Sequence, residues 1–282
     1  WATGVDTGKG RGATGGERER MLRRCGRKNG AVSVIATGLE ALSPAGSGTA
    51  TTGNEALRKA TRQSCQVNAV GKGDREYGNE SDGAKRPMMI SVDGNIGSGK
   101  STLLSILKAR YTPPPSCPSS SSSSSSRSVC FAPERTHEWK AMLPLYYEDT
   151  KRWSFPFQMQ VLLSHIKNFK EAEGDLCFVE RSPLAASLVF GELLKQEGLI
   201  TSVEADLFDG FMEEVSWHPD VIIYLACAPQ VCLERVVKRN RDGESGGGIP
   251  LEYLEKVSKA YEGFIQKYQD TIPVIKIDTN TG

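Results

Sequence analysis

The sequence predicts an α/β domain, a three-layer α/β/α arrangement around a central parallel sheet of about five strands. Short apolar runs without polar alternation, at 88–92, 129–132, 176–180, 221–225 and 274–278, read as strands covered on both faces. Longer stretches with helical spacing separate them, near 157–172, 183–196, 202–215, 229–240 and 250–268. Strand, helix, strand repeated in this way gives parallel pairing through right-handed crossovers, with ligands gathered at the carboxyl ends of the strands.

The 282 residues divide by composition. Residues 1–86 are rich in Gly, Ala, Thr and Arg, have no sustained apolar period, and cannot bury enough surface to offset the entropy of ordering, so a disordered extension is expected. Residues 87–282 have the size of one α/β domain. The extension carries 15 Lys/Arg against 9 Asp/Glu and the domain 20 against 25, so the total of +1 hides a basic tail on an acidic domain. That balance argues against nucleic acid as the domain's partner. No run reaches the about 18 apolar residues of a membrane span.

Met21 opens Met-Leu-Arg-Arg-Cys-Gly-Arg-Lys, and between it and Gly73 only Glu40 and Glu55 are acidic. Arg-rich, hydroxyl-rich and acid-poor is the composition of an organellar transit peptide, which predicts a mitochondrial or other organelle matrix; a plain extension of a cytosolic protein is the alternative. The chain opens on Trp1 and stops at Gly282, soon after the last predicted strand, so both ends are expected to be clipped. Pro113-Pro114-Pro115 and the eight serines 119–126 form a surface insertion at 112–128, expected to carry no chemistry. Seven cysteines without C-x-x-C spacing predict reduced thiols, some of them small core residues, rather than a disulfide framework or a zinc site.

Function enters with residues 94–101, Gly-Asn-Ile-Gly-Ser-Gly-Lys-Ser, at the end of the first strand and the start of the first helix. This is a complete phosphate loop. Gly94, Gly97 and Gly99 let backbone N–H groups turn toward an anion, Lys100 can reach the outer phosphates, and the Ser101 hydroxyl can ligate Mg²⁺. The positive end of the helix dipole adds to the same spot. Four clusters follow: Pro133-Glu134-Arg135-Thr136-His137-Glu138-Trp139; Tyr147 through Trp153 to Pro156-Phe157-Gln158; Glu180-Arg181-Ser182; and an Arg-rich stretch from Arg235 to Glu244 before a Gly-rich break and Pro250-Leu-Glu-Tyr-Leu254.

This order resembles the deoxynucleoside kinase family of P-loop kinases, from about Met88 to Asp278. The resemblance implies a homodimer with an Arg-rich lid, using ATP with Mg²⁺ as cofactor. ATP would lie on Gly94, Asn95, Ile96, Gly97, Ser98, Gly99, Lys100, Ser101 and Thr102, under Arg239 and Arg241 of the lid. Glu134 would be the base that accepts the proton of a deoxynucleoside 5′-hydroxyl. Arg181 would orient the reacting oxygens, and Glu180 would help Ser101 hold Mg²⁺. Gln158 would pair with the base edge, since an amide both donates and accepts. Phe190 would stack on the base with Trp139 lining the other side, while Tyr147 and Glu244 would hold the 3′-hydroxyl.

The departures bear on the substrate. Members usually read Glu-Pro-Val where this chain has Glu134-Arg135-Thr136. Among the base-pocket positions Val161, His165 and Ala186, a Met or Arg is common where His165 stands, and members preferring deoxycytidine or purines pair that Arg with an Asp in place of Ala186. Ala186 leaves room for a 5-methyl group, which tilts the expectation toward thymidine or mixed pyrimidines. A monophosphate kinase is the nearest rival activity, but its acceptor is already ionised and needs no base such as Glu134. A non-catalytic accessory subunit of the respiratory chain's first complex, similar in fold, would not need Lys100, Glu134 and Arg181 together.

Overall fold

The computed structural model describes residues 86–111, 128–215, 217–239 and 249–280. The extension before Arg86 and most of the poly-Ser insertion lie outside them, as do Arg241 and Glu244.

Five parallel strands form one sheet: β1 (Met88–Gly94), β2 (Val129–Ala132), β3 (Leu176–Glu180), β4 (Val221–Ala226) and β5 (Val274–Asp278), in the spatial order β2-β3-β1-β4-β5. The predicted strand positions match almost residue for residue. β1, β3 and β4 are covered on both faces, so they read as mainly apolar runs, with Ser91, Asp93 and Glu180 as buried polar exceptions. The chain leaves β1 for β2 and β3 on one side and then crosses to β4 on the other. A crevice therefore opens at the carboxyl ends of β1 and β3, beside Gly94 and Glu180.

The helices are α1 (Lys100–Tyr111), α2 (Thr136–Trp139), α3 (Met142–Glu148), α4 (Thr150–Lys170), α5 (Pro183–Ala185), α6 (Glu192–Gln196), α7 (Ser202–Val215), α8 (Pro229–Arg239) and α9 (Leu251–Tyr268), with a π-helical segment, Ala186–Gly191, between α5 and α6. On one face of the sheet, Ile222 and Tyr224 of β4 meet Val257, Tyr261 and Phe264 of α9. Trp217 joins Met89, Cys177 and Val179, with Phe169 of α4 packed against them. On the other face Tyr111 of α1 stacks on Phe178 at 6.3 Å.

Two features depart from the sequence expectation. α4 begins at Thr150 and runs through Pro156, because Asp149 caps it by accepting from the Arg152 N–H at 3.1 Å. The cap starts the helix before the proline, which then removes one internal hydrogen bond instead of setting the boundary. The cysteines are the second correction: Cys130 and Cys177 form a disulfide. β2 and β3 pair in parallel with these two residues as direct register partners, a proximity that no spacing in the sequence reveals. Cys227 and Cys232 are free and buried, as expected of core cysteines.

Candidate active site

The phosphate loop turns between β1 and α1. Gly97 has φ +81°, and a Cβ there would stand 2.5 Å from the Cys232 carbonyl oxygen of α8, so glycine alone fits. Asn95 fastens the loop to α9, its amide donating to the Leu254 carbonyl at 2.8 Å. Thr102 is exposed on the first turn of α1. Lys100 is buried, and its ammonium donates to the carbonyls of Gly94 at 3.2 Å and Asn95 at 2.7 Å. Burial, with the Arg181 charge, lowers its pKa to about 8.

β3 delivers Glu180 and Arg181 to the same place. The Ser101 hydroxyl donates to both Glu180 oxygens, at 2.9 and 3.0 Å. Serine hydroxyl and carboxylate are hard oxygen donors, and a Mg²⁺ ion that shares its shell with phosphates and water needs only one or two carboxylates. The pair therefore fits a nucleotide-bound Mg²⁺, although no cluster of three His, Cys, Asp or Glu stands ready for a metal among the described residues. Directly behind, Asp93 is wholly buried with neither carboxylate oxygen in a well-formed hydrogen bond. Burial raises its pKa to about 6, against the opposing pull of Ser91, Arg181 and Lys100.

β2 ends at Ala132 and Glu134 follows two residues on. Its carboxylate accepts from Arg181 Nη1. Burial works to raise the Glu134 pKa, but the charges of Arg181 and Lys100 outweigh it and hold the carboxyl below the usual range. Glu134, Lys100, Ser101, Glu180 and Arg181 all border one cavity of about 800 Å³.

The walls of that cavity carry most of the remaining expected residues. Gln158, Val161, Ala186, Phe190, Trp139 and Tyr147 all line it, as do Ile96, Gly97 and Arg239. Gln158 is 7 % exposed and its Oε1 has no hydrogen-bond partner among the described residues, an acceptor that a ligand in the cavity would satisfy. Trp139 stacks on Phe157 at 5.3 Å and Phe157 on Tyr146 at 5.0 Å, giving one aromatic wall. Phe190 faces the Arg181 guanidinium, whose carbon lies 5.1 Å from the ring centroid.

His165 is not on the cavity wall. It is 3 % exposed, with Nε2 unpartnered, and burial lowers its pKa to about 4, so it is a neutral imidazole. It lies one turn of α4 beyond Val161 on the same side of the helix, buried within reach of the Glu134 and Arg181 charges but not lining the cavity. Conversely, Tyr146, Tyr253, Glu197 and Lys256 border the cavity without having been expected there. Tyr253 sits inside the Pro250–Leu254 run already singled out, which was the available signal; Glu197 and Lys256 are joined only in space, by an ion pair of 3.0 Å.

A glycine-rich loop at a strand-to-helix turn, a buried lysine, a serine–glutamate pair and a second carboxylate across one cavity define a P-loop phosphotransferase. The chain belongs to the deoxynucleoside kinase family, whose model matches residues 90–281. It is 32% identical over 194 residues to a protein of invertebrate iridescent virus 3 named as a kinase, a match spanning 68% of this chain and 88% of the relative. To deoxycytidine kinase 1 of Xenopus laevis it is 31% identical, over 68% of this chain and 82% of the relative. To the thymidine kinase of ictalurid herpesvirus 1 it is 30% identical, over 65% and 76%. The chain is an enzyme of this family, a kinase of deoxynucleosides.

Proposed function

We propose that the enzyme transfers the γ-phosphoryl group of ATP to the 5′-hydroxyl of a pyrimidine deoxynucleoside, thymidine or deoxycytidine, in nucleotide salvage. The observation that carries this reading is the Glu134 carboxylate, bound by Arg181 and bordering the same cavity as Lys100 and Gln158. A neutral hydroxyl must lose its proton as it attacks phosphorus, and a carboxylate held ionised can take it. A monophosphate acceptor would need no such group. Gln158 offers its free Oε1 to the base edge between the aromatic wall and the small side chain of Ala186.

Ser101 and Glu180 would hold the Mg²⁺ that accompanies ATP, which neutralises charge on the transferring phosphoryl group. Lys100 and Arg181 supply the remaining positive charge, and catalysis comes chiefly from positioning and charge stabilisation. We also assign a homodimer, supported by the exposed apolar residues Val203, Leu207 and Phe211 at four-residue spacing along α7. The acid-poor, Arg-rich stretch after Met21 supports a mitochondrial or other organelle matrix.

The test is a phosphorylation assay with ATP·Mg²⁺, the four deoxynucleosides and thymidine monophosphate, with Glu134→Gln beside the unmodified enzyme. The pyrimidine deoxynucleosides are expected to be the best acceptors, and the variant to lose about 10²-fold or more in kcat. Preferential phosphorylation of thymidine monophosphate, or full activity of the variant, would overturn the reading.

A further inference from the structure

The loop that carries Glu134 is fastened on both sides of that residue to one side chain of α4. Asn168 Nδ2 donates to the Pro133 carbonyl at 3.2 Å, and Asn168 Oδ1 accepts from Arg135 Nε at 2.6 Å. Asn168 is 5 % exposed, so its amide is committed to these two bonds rather than to water. The guanidinium of Arg135 extends the tie: Nη1 donates to Glu138 at 3.1 Å and Nη2 to Glu171. Lys167 closes the ring by donating to the other Glu138 oxygen at 2.7 Å.

A planar guanidinium that uses three nitrogens at once fixes direction as well as distance, which a lysine on a flexible stem would not. As ion pairs near the surface these contacts contribute little to stability. Their arrangement has another consequence. α4 also bears Gln158 and Val161 on the cavity wall, so the ring of contacts references the Glu134 carboxylate to the helix that faces the base.

We propose that Arg135 and Asn168 are positioning residues that set the Glu134 carboxylate against the 5′-hydroxyl of a nucleoside bound along α4. The proposal rests on Glu134 acting as the base. Misplacing a reacting group by about 1 Å can cost up to about 10²-fold in rate. Arg135→Ala is therefore expected to lower kcat by about tenfold or more, while KM for ATP and for the nucleoside changes by less than about threefold. Arg135→Lys keeps the charge and loses the fork, and is expected to remain nearly as slow. Asn168→Asp, which still accepts from Arg135 but no longer donates to Pro133, isolates one side of the tie with little change of volume and is expected to fall between.

The deciding measurement is a cycle of Glu134→Gln, Arg135→Ala and the double variant. If Arg135 acts through the base, the double variant is no slower than Glu134→Gln. Loss of activity in Glu134→Gln with an unchanged kcat in Arg135→Ala and Asn168→Asp overturns the positioning role alone, as does a double variant slowed by the product of the two single effects. Full activity in Glu134→Gln overturns the base and the positioning role together.

Discussion

Arg181 reaches Glu134 from a backbone position that an arginine rarely adopts: its φ is +62°, in the left-handed region, directly after the last residue of β3. The turn is held by the Arg181 N–H, which donates to the Val92 carbonyl at 3.0 Å, and the side chain ends in the ion pair with Glu134. Burial alone would lower the arginine's pKa, but Glu134, with Tyr261 and Glu180, raises it. The strain at one residue is thus offset by a charge pair between the ends of β2 and β3.

Glu134→Gln is expected to cost stability as well as turnover. It leaves the Arg181 guanidinium, whose side chain is 10 % exposed, without its nearest countercharge. Removing one partner of a buried pair costs about 3 kcal/mol. The Glu134 carboxyl is held below its ordinary 4.5, so its contribution is present above that pH and lost as pH falls through the lower, folded value. Urea titrations should show the variant weaker at pH 7 and the gap closing in acid; a constant gap would assign the loss to packing.

Lys100 gives a pH dependence of activity at the alkaline end of the range. Its pKa is lowered to about 8, chiefly by burial, so in the nucleotide-free enzyme the ammonium loses its proton in mildly alkaline solution. Phosphate binding needs that charge. Above pH 8, kcat/KM for ATP should fall by about tenfold per pH unit, the slope of a single deprotonation. The folded state binds fewer protons than the unfolded between about 8 and 10.5, so this group's effect on stability rises with pH over the same window. A flat ATP profile to pH 9.5 would mean that Lys100 stays charged.

Asp93 is a buried carboxylate in the wall behind the phosphate loop, with its pKa raised to about 6. The folded protein holds its proton more tightly than the unfolded chain, so ionisation above pH 6 costs stability. Asp93→Asn removes that cost. The variant is expected to be more stable at pH 7.5 by about 2–3 kcal/mol and to match the unmodified protein below pH 4, measured by denaturant midpoint. Equal stability at both pH values would contradict it.

How far the sequence carried is clear at particular residues. Met89, Ile90 and Val92 announce β1 because both of its faces are covered, and the glycine spacing of 94–99 announces the turn because Gly97 meets the Cys232 carbonyl. Gln158 and Arg181 were legible from their motifs. Partnerships made only by folding were not. The Cys130–Cys177 disulfide depends on strand register, the Glu197–Lys256 pair joins residues far apart in sequence, and the burial that takes His165 off the cavity wall comes from packing around α4 and not from its spacing after Val161. The sequence marked Arg135 as a departure, and the fold supplies its partners Asn168, Glu138 and Glu171.

The apolar stripe of α7 tests the dimer. Val203, Leu207, Phe211 and Val215 are 74 %, 50 %, 43 % and 37 % exposed, four residues apart on one helical face. Contact with a second copy would remove that surface from water. Phe211→Glu with Leu207→Glu would place two carboxylates on the stripe, and light scattering should then report a monomer mass at micromolar protein. Both residues lie outside the cavity, so failure of the pair to change the mass would assign the dimer contact elsewhere or exclude it.

Ala186 tests the choice of base. It opens the π-helical segment, is 2 % exposed and faces the cavity, so it offers only a methyl group where many side chains would intrude. Ala186→Val adds two carbons to that wall. If the 5-methyl group of thymidine packs there, the larger side chain collides with it and not with the hydrogen of deoxycytidine. One methyl-sized change in an apolar pocket is worth about 1–3 kcal/mol. The ratio of kcat/KM for thymidine over deoxycytidine should therefore fall by about tenfold or more. An equal loss for both nucleosides would mean that Ala186 sets the width of the pocket without reading position 5, and preference would then rest on the edge contacted by Gln158.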